Sequence, residues 1–433
     1  MDEAGAGPTA SAAEHPRRSQ DVSTGECALE GLLRDSHLAA PHQLPELFAN
    51  HAAILGVEDA VAYLADLQQT VLVPFLSASG AGLSQQLDAL GIDSTLAGRA
   101  FQVVDVLAQE GAGGRTRLWI PLLDGTERLG VLGVTVADAG ALDHDGGLLG
   151  TRLRSFATLA AELMVSKMKY GDTMVQLRRR ASMGLAAEMQ WALLPPMTFA
   201  CEEVAVAAAL EPAYEVAGDS VDYAVDPGWA RFAVFDGMGH GVQSAQLATL
   251  AVAAYRNARR AGRSLLVTAS AVDTAISTVF RGEAFTTAVL AQLNTDTGAL
   301  SWINAGHPDP LLLRAGRLVK ALHGEPNLPF GLREGVSTAA AELVVGTEQL
   351  EPGDQVLFYT DGVTEARSPE GDHFGVQRLT DLLARNLAGG LPLPETMRRV
   401  VRFLLDHQQG QLHDDATMLL AEWRTGDKHV LVP

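Results

Sequence analysis

The chain predicts an α/β architecture in at least two domains, on three observations. Its 433 residues exceed what one ordinary hydrophobic core encloses and suit two or three domains. Hydrophobic residues make up 47% and charged residues 19%, a globular balance with ample material for burial. Helical and alternating periodicities interleave from about residue 40 onward, and after Val204 many strand runs are separated by pairs of long helices. This last pattern predicts an α-β-β-α sandwich, sheets packed face to face with helices outside.

Residues 1–26 are rich in Ala, Gly, Ser, Glu and Pro without periodicity, and are expected to form a disordered leader. They contain no apolar core, so they do not read as a secretory signal. No window approaches the roughly 18 consecutive apolar residues of a membrane helix. A first α/β domain is expected over 27–164. "LPELFANHAAILG" has helical spacing, and "VAYLADLQQTVLVPFL" reads as two short strands around a polar turn. "RLWIPLLDGTERLGVLGVTV" (117–136) reads as a hairpin across Asp124-Gly125, and a helix follows from about Leu148.

The segment 156–194 reads as one continuous helix, with a helical, coiled-coil-like linker over 165–196. Tyr170, Met174, Leu177 and Ala181 recur at spacings of four, three and four, the seam of a short two-stranded coil that would make a homodimer. Leu185, Met189 and Leu193 follow in a shifted phase, and "LLPP" ends the helix because proline cannot continue its hydrogen bonding. The stripe fits plain core packing as well as a lever between domains. Within it, "QLRRRAS" (176–182) fits either a solvated face or a phosphate-binding or interdomain contact.

A second domain is expected over 197–424, with a tail at 425–433. Its strands are "VAVAAALEP", "VDYAVD", "RFAVFD", "TTAVLAQLN", "LSWINAG", the hairpin "PLLLRAGRLV", "QVLFYTD" and "ATMLLAEW". Its helices are placed at about 242–260, 264–280, 375–387 and 392–408. A net charge of -20 repels phosphate backbones and anionic lipid, which argues against nucleic-acid and membrane partners. Cys27 and Cys201 form no disulfide or zinc pattern, and the expected compartment is a reduced cytoplasm.

The acids of this second domain stand at strand edges. Asp219 follows Gly218, Asp236 ends "RFAVF" and precedes Gly237, Asp361 ends "QVLFYT", and Asp414 and Asp415 precede "ATMLLAEW". A single Asp-Gly is most simply a turn. Four separated segments that each present an acid beside an apolar strand point instead to a shared site. Gathered carboxylates raise one another's pKa, and a divalent cation removes the conflict. All-oxygen coordination suits Mg²⁺ or Mn²⁺. Glycine after a liganding Asp would leave its carbonyl open to the same ion.

Two resemblances follow from these stretches. Helix, strands, hairpin and exit helix in the first domain resemble a GAF sensor domain, which implies a small-molecule ligand or a role in dimerisation alone. "EVAGDSVDY", "FAVFDGMGHG", "LSWINAGHPDPLLLR", "LPFGL", "VLFYTDGVTEARSPEGDHFG" and "HDDATMLL" resemble, in order, the signature blocks of metal-dependent PPM (protein phosphatase 2C-like) phosphatases. They are most similar to the bacterial SpoIIE and sigma-factor-regulating branch, whose lead-in helix "AAEMQWALLPP" resembles.

The second resemblance implies a two-ion centre of Mn²⁺ or Mg²⁺. Asp219 would hold one ion chiefly through water, Asp236 would bridge both with the Gly237 carbonyl beside it, and Asp361 and Asp414 would hold the other. Asp415 is the alternative to Asp414. Such ions activate a bridging water for direct attack on phosphorus. The sequence departs from the branch at Ala217, where a glycine is usual, and at Ser220, where an aromatic residue is usual, while Asp222 keeps the later acid. Met238 stands where relatives outside the branch have histidine, which leaves His240 as a substitute proton donor or a turn residue. His307 in "NAGHP" is either structural or part of the site, and Thr286 and Thr287 either line the pocket or favour the strand. The implied activity is serine/threonine dephosphorylation of a regulatory protein, an anti-sigma-factor antagonist, under control of the first domain. A phosphatase-like module that binds without catalysis is the alternative.

Overall fold

A computed structural model describes residues 15–77, 87–137, 147–215, 218–325, 327–333, 342–410, 412 and 414–424. The chain divides into two compact units, Met1–Asp124 with Arg128–Arg178, and Gly125–Glu127 with Arg179–Pro433.

The first unit is built on one sheet in the order β3-β2-β1-β6-β5-β4. Its strands are β1 (Asp59–Ala65), β2 (Val71–Phe75), β3 (Leu90–Gly91), β4 (Leu107–Glu110), β5 (Thr116–Asp124) and β6 (Glu127–Val136). The hairpin expected across Asp124-Gly125 joins β5 to β6. Alternate residues face opposite sides of each strand, so one sequence serves two cores. Ala62, Leu64, Leu118 and Ile120 pack under α1 (His15–Ser36), α2 (Leu44–Ile54) and α4 (Gly147–Met168). Tyr63, Ala65 and Trp119 pack against α3 (Leu96–Val103).

Two expectations are corrected here. The leader expected over 1–26 is helical from His15, because Ala28 and Leu32 further along the same helix bury in the first core; residues 1–14 lie outside the described residues. The continuous helix expected over 156–194 is three helices: α4, α5 (Thr173–Arg178) and α6 (Leu185–Leu193). Gly171 and Gly184 stand in the two breaks, and glycine disfavours a helix interior by about 1 kcal/mol. Of the expected seam, Met174 and Leu177 pack into the first unit's core and Tyr170 is exposed. The stripe is therefore core packing at those positions. The arginine run divides too: Arg178 Nε donates to the Ala65 carbonyl, and Arg179 pairs with Glu188.

The second unit is a four-layer sandwich. One sheet has the order β15-β12-β11-β10-β9, the other β14-β13-β16-β17-β8-β7. The first comprises β9 (Asp219–Asp226), β10 (Trp229–Gly237), β11 (Thr286–Asn294), β12 (Ala299–Ala305) and β15 (Gly346–Gln349). The second comprises β7 (Thr198–Ala200), β8 (Val204–Glu211), β13 (Leu311–Arg314), β14 (Arg317–Ala321), β16 (Gln355–Tyr359) and β17 (Ala416–Trp423). Between the sheets lie Val206, Phe232, Val234, Val289, Trp302, Phe358 and Leu419, with the rings of Phe232 and Phe358 stacked 5.9 Å apart. Outside, α7 (Val242–Arg260) and α8 (Leu265–Phe280) cover Phe235, Leu290 and Ile303. On the far side, α10 (Gly375–Ala388) and α11 (Leu393–His407) cover Leu357, Met418 and Leu420. These helices lie within a residue or so of their expected positions. Among the described residues, no helix is long and apolar enough to cross a membrane.

Candidate metal centre

Both sheets bring acids to one end of the sandwich. Asp219 opens β9 and lies directly opposite Asp236 near the end of β10, with Thr287 of β11 opposite Asp236 on its other side. From the second sheet, Thr360 follows β16 and Asp361 starts α9 (Asp361–Thr364), while Asp414 and Asp415 lead into β17. Asp219 is buried, Asp236 half-buried, and Asp361 and Asp414 lie at the exposed rim.

Short hydrogen bonds fasten the two sheets together here. Thr360 Oγ1 donates to Asp219 Oδ2 at 2.7 Å and accepts from the Thr417 backbone N–H at 2.9 Å. Asp415 Oδ2 accepts from the backbone N–H groups of Gly218 at 2.7 Å and Asp219 at 3.3 Å. Asp415 thus holds the backbone that carries Asp219, whereas Asp414 Oδ1 accepts only from its neighbour's N–H among the described residues. Glycines permit the close approach: a Cβ on Gly218 would lie 2.5 Å from the Gly237 carbonyl oxygen, and one on Gly362 would overlap the Asp415 carbonyl. The Gly237 carbonyl accepts from Ser244 Oγ at 2.8 Å, which occupies one of its two lone pairs.

The charges within this cluster oppose one another. Burial, then the neighbouring Asp236 and Asp415, push Asp219 well above the usual carboxylate range. Burial, then Asp361 and Asp414, push Asp236 up to about 7. Burial, then Asp414, raises Asp361. Five acids from four chain segments are thereby within electrostatic reach of one another. Among the described residues, no arginine, lysine or histidine pairs with Asp219, Asp236, Asp361 or Asp414.

An oxygen-only set of acids lacking a protein counter-charge fits a hard divalent cation. Among the described residues, no three His, Cys, Asp or Glu side chains form a ready-made cage for an ion.

The other candidates separate clearly. His240 is exposed between Gly239 and Gly241, both at positive φ, and makes no hydrogen bond among the described residues. Ala217 lies outside the described residues. Ser220 is buried opposite Phe235, and Asp222 pairs with Arg256 and Arg259 at 2.7 and 2.9 Å. Thr286 and Thr287 do more than favour a strand: Thr286 Oγ1 donates to the Asp236 carbonyl at 2.7 Å, and Thr287 Oγ1 reaches Asp236 Oδ2 at 3.3 Å. The sequence reading did not single out Thr360 or Ser244, although Thr360 adjoins Asp361 in "YTDG".

Comparison with known proteins finds relatives of the second unit. Residues 226–424 match the family described as Stage II sporulation protein E (SpoIIE). The protein IcfG of Synechocystis is 27% identical over 140 residues, 32% of this chain and 21% of that protein. The phosphoserine phosphatase RsbU of Bacillus subtilis is 22% identical over 258 residues, 57% of this chain and 71% of RsbU. A crystal structure of the RsbU and RsbW domains of Rv1364c from Mycobacterium tuberculosis is 26% identical, covers 52% of this chain and 62% of that one, and has a TM-score of 0.45. Residues 226–424 are thus similar to the SpoIIE family over just under half of the chain, and the chain spans about a fifth of the length of IcfG.

Proposed function

We propose that this chain removes phosphoryl groups from serine or threonine of a regulatory protein, an anti-sigma-factor antagonist, at the acidic end of its sandwich. The carrying observation is the cluster of Asp219, Asp236, Asp361 and Asp414, drawn from both sheets, whose burial and like charges raise Asp219, Asp236 and Asp361 and which pairs with no arginine, lysine or histidine among the described residues. RsbU, a phosphoserine phosphatase by name, aligns with more than half of the chain and supports the substrate class.

In this reading Asp219 and Asp236 would hold one divalent ion and Asp236, Asp361 and Asp414 would serve a second, with the Gly237 carbonyl as a further oxygen donor. Bound ions of this kind supply an activated water and neutralise charge on the phosphoryl oxygens. The chain's own contribution is fixation. Thr360 and Asp415 hold Asp219 and its backbone across the sheets, and Thr287 and Thr286 hold Asp236. Asp361 and Asp414, open to solvent, leave the rim accessible to a protein-borne phosphate. We extend the reading to a cytoplasmic homodimer whose GAF-like first unit, with or without a small ligand, adjusts the rate.

The test is Mn²⁺-dependent phosphate release from candidate phosphorylated antagonists, with Asp361→Ala for comparison. Turnover in the native chain and a loss of about a hundredfold or more in the variant are expected. No turnover with Mn²⁺ or Mg²⁺ on any phosphoprotein would favour the binding module instead.

A further inference from the structure

We propose that His307 is a positioning residue for Asp236, acting through the Thr287 hydroxyl, and that this chain of contacts sets the affinity of the centre for its cation. The inference rests on the phosphatase reading and adds a component to it. Thr287 sits directly opposite Asp236 on β11, and its Oγ1 lies 3.3 Å from Asp236 Oδ2 and 2.8 Å from His307 Nδ1. His307 follows β12 and is clasped by Asn304: its N–H donates to Asn304 Oδ1, and its carbonyl accepts from Asn304 Nδ2, both at 2.8 Å. The ring is buried against the Tyr359 backbone, which favours its protonated form, and no side chain hydrogen-bonds Nε2 among the described residues. The contact with Thr287 is thus the ring's one side-chain hydrogen bond among the described residues.

Proton counting gives the contact a direction. An ionised carboxylate only accepts, and a threonine hydroxyl carries one proton. For that proton to serve Asp236, Oγ1 must accept from Nδ1–H, which selects the Nδ1–H tautomer of a neutral imidazole. Burial holds His307 neutral, down to about 3. The series His307 to Thr287 to Asp236 then fixes one carboxylate oxygen and leaves Oδ1 without a hydrogen bond among the described residues. Partners of this kind orient a metal-holding carboxylate, and their loss weakens metal affinity about 10- to 100-fold.

Mn²⁺ binding to the full chain, measured by isothermal titration calorimetry with a melting curve for each variant, tests this. Thr287→Val keeps the β-branched shape without the hydroxyl and is expected to weaken Mn²⁺ binding about tenfold or more, with Thr287→Ser near native. His307→Asn, whose amide nitrogen falls near Nδ1, is expected to bind nearly as the native chain, while His307→Gln binds weakly. Native affinity in Thr287→Val, or equal affinities in His307→Asn and His307→Gln, would overturn the inference. If the histidine variants fail to fold, the threonine pair decides alone. A native chain that takes up no Mn²⁺ would overturn the phosphatase reading as well.

Discussion

Asp219 and Asp222 stand three residues apart on one strand, both almost wholly buried, and their surroundings differ completely. Asp222 meets Arg256 and Arg259, and Arg256 also donates to the Leu193 carbonyl at 2.5 Å, which ties the end of α6 to β9 and α7. Asp219 meets the Thr360 hydroxyl and the charges of Asp236 and Asp415. In the first place the fold supplies its own counter-charge, and the acid serves structure. In the second it gathers like charges, which only a proton or a bound cation relieves. A buried acid is thus read for function by what faces it.

Two substitutions break this comparison from opposite sides. Asp236→Asn is expected to abolish turnover, by about a thousandfold. It is also expected to raise the melting temperature of the metal-free chain, because it removes a charge held among acids. Asp222→Asn should do the reverse: two half-buried arginines lose their partner, at a cost of about 3–5 kcal/mol in denaturant unfolding. Destabilisation by Asp236→Asn without metal, or a neutral Asp222→Asn, would erase the distinction.

A pH series sharpens it further. Asp236 in the folded chain titrates at about 7, above its unfolded value near 3.9. The folded state therefore holds a proton that the unfolded state releases, and this contribution to stability is lost as pH rises from about 4 through 7. The metal-free chain should melt about 5 °C lower at pH 8 than at pH 5, and Mn²⁺ should reverse the loss at pH 8. A metal-free melting temperature that rises over this range, with no response to Mn²⁺, would contradict the assignment.

Much of this was legible in the sequence, for identifiable reasons. The long helices of the second unit show strong 3.6-residue periodicity, and each acid stands beside a marked apolar run, so both could be placed. The fastenings were not legible. Thr360 meets Asp219 across 141 residues and Asp415 meets Gly218 across 197, and no local pattern encodes such pairings. Thr287 was hidden by its own propensity, since a β-branched residue in a strand already has a sufficient explanation. The linker misled through its period: the apolar spacing continues across Gly171, but Met174 turns into a core and ends any seam. His15–Ser36 was missed because composition dominates a short polar stretch, whereas Ala28 and Leu32 anchor the helix from its far end.

The most direct measurement is anomalous scattering from crystals of the native chain grown with Mn²⁺. Metal peaks at coordination distance, about 2.1 Å, from Asp236 and within reach of Asp219, Asp361 and Asp414 are the expected result. Crystals saturated with Mn²⁺ that show no peak at this end of the sandwich would contradict the account.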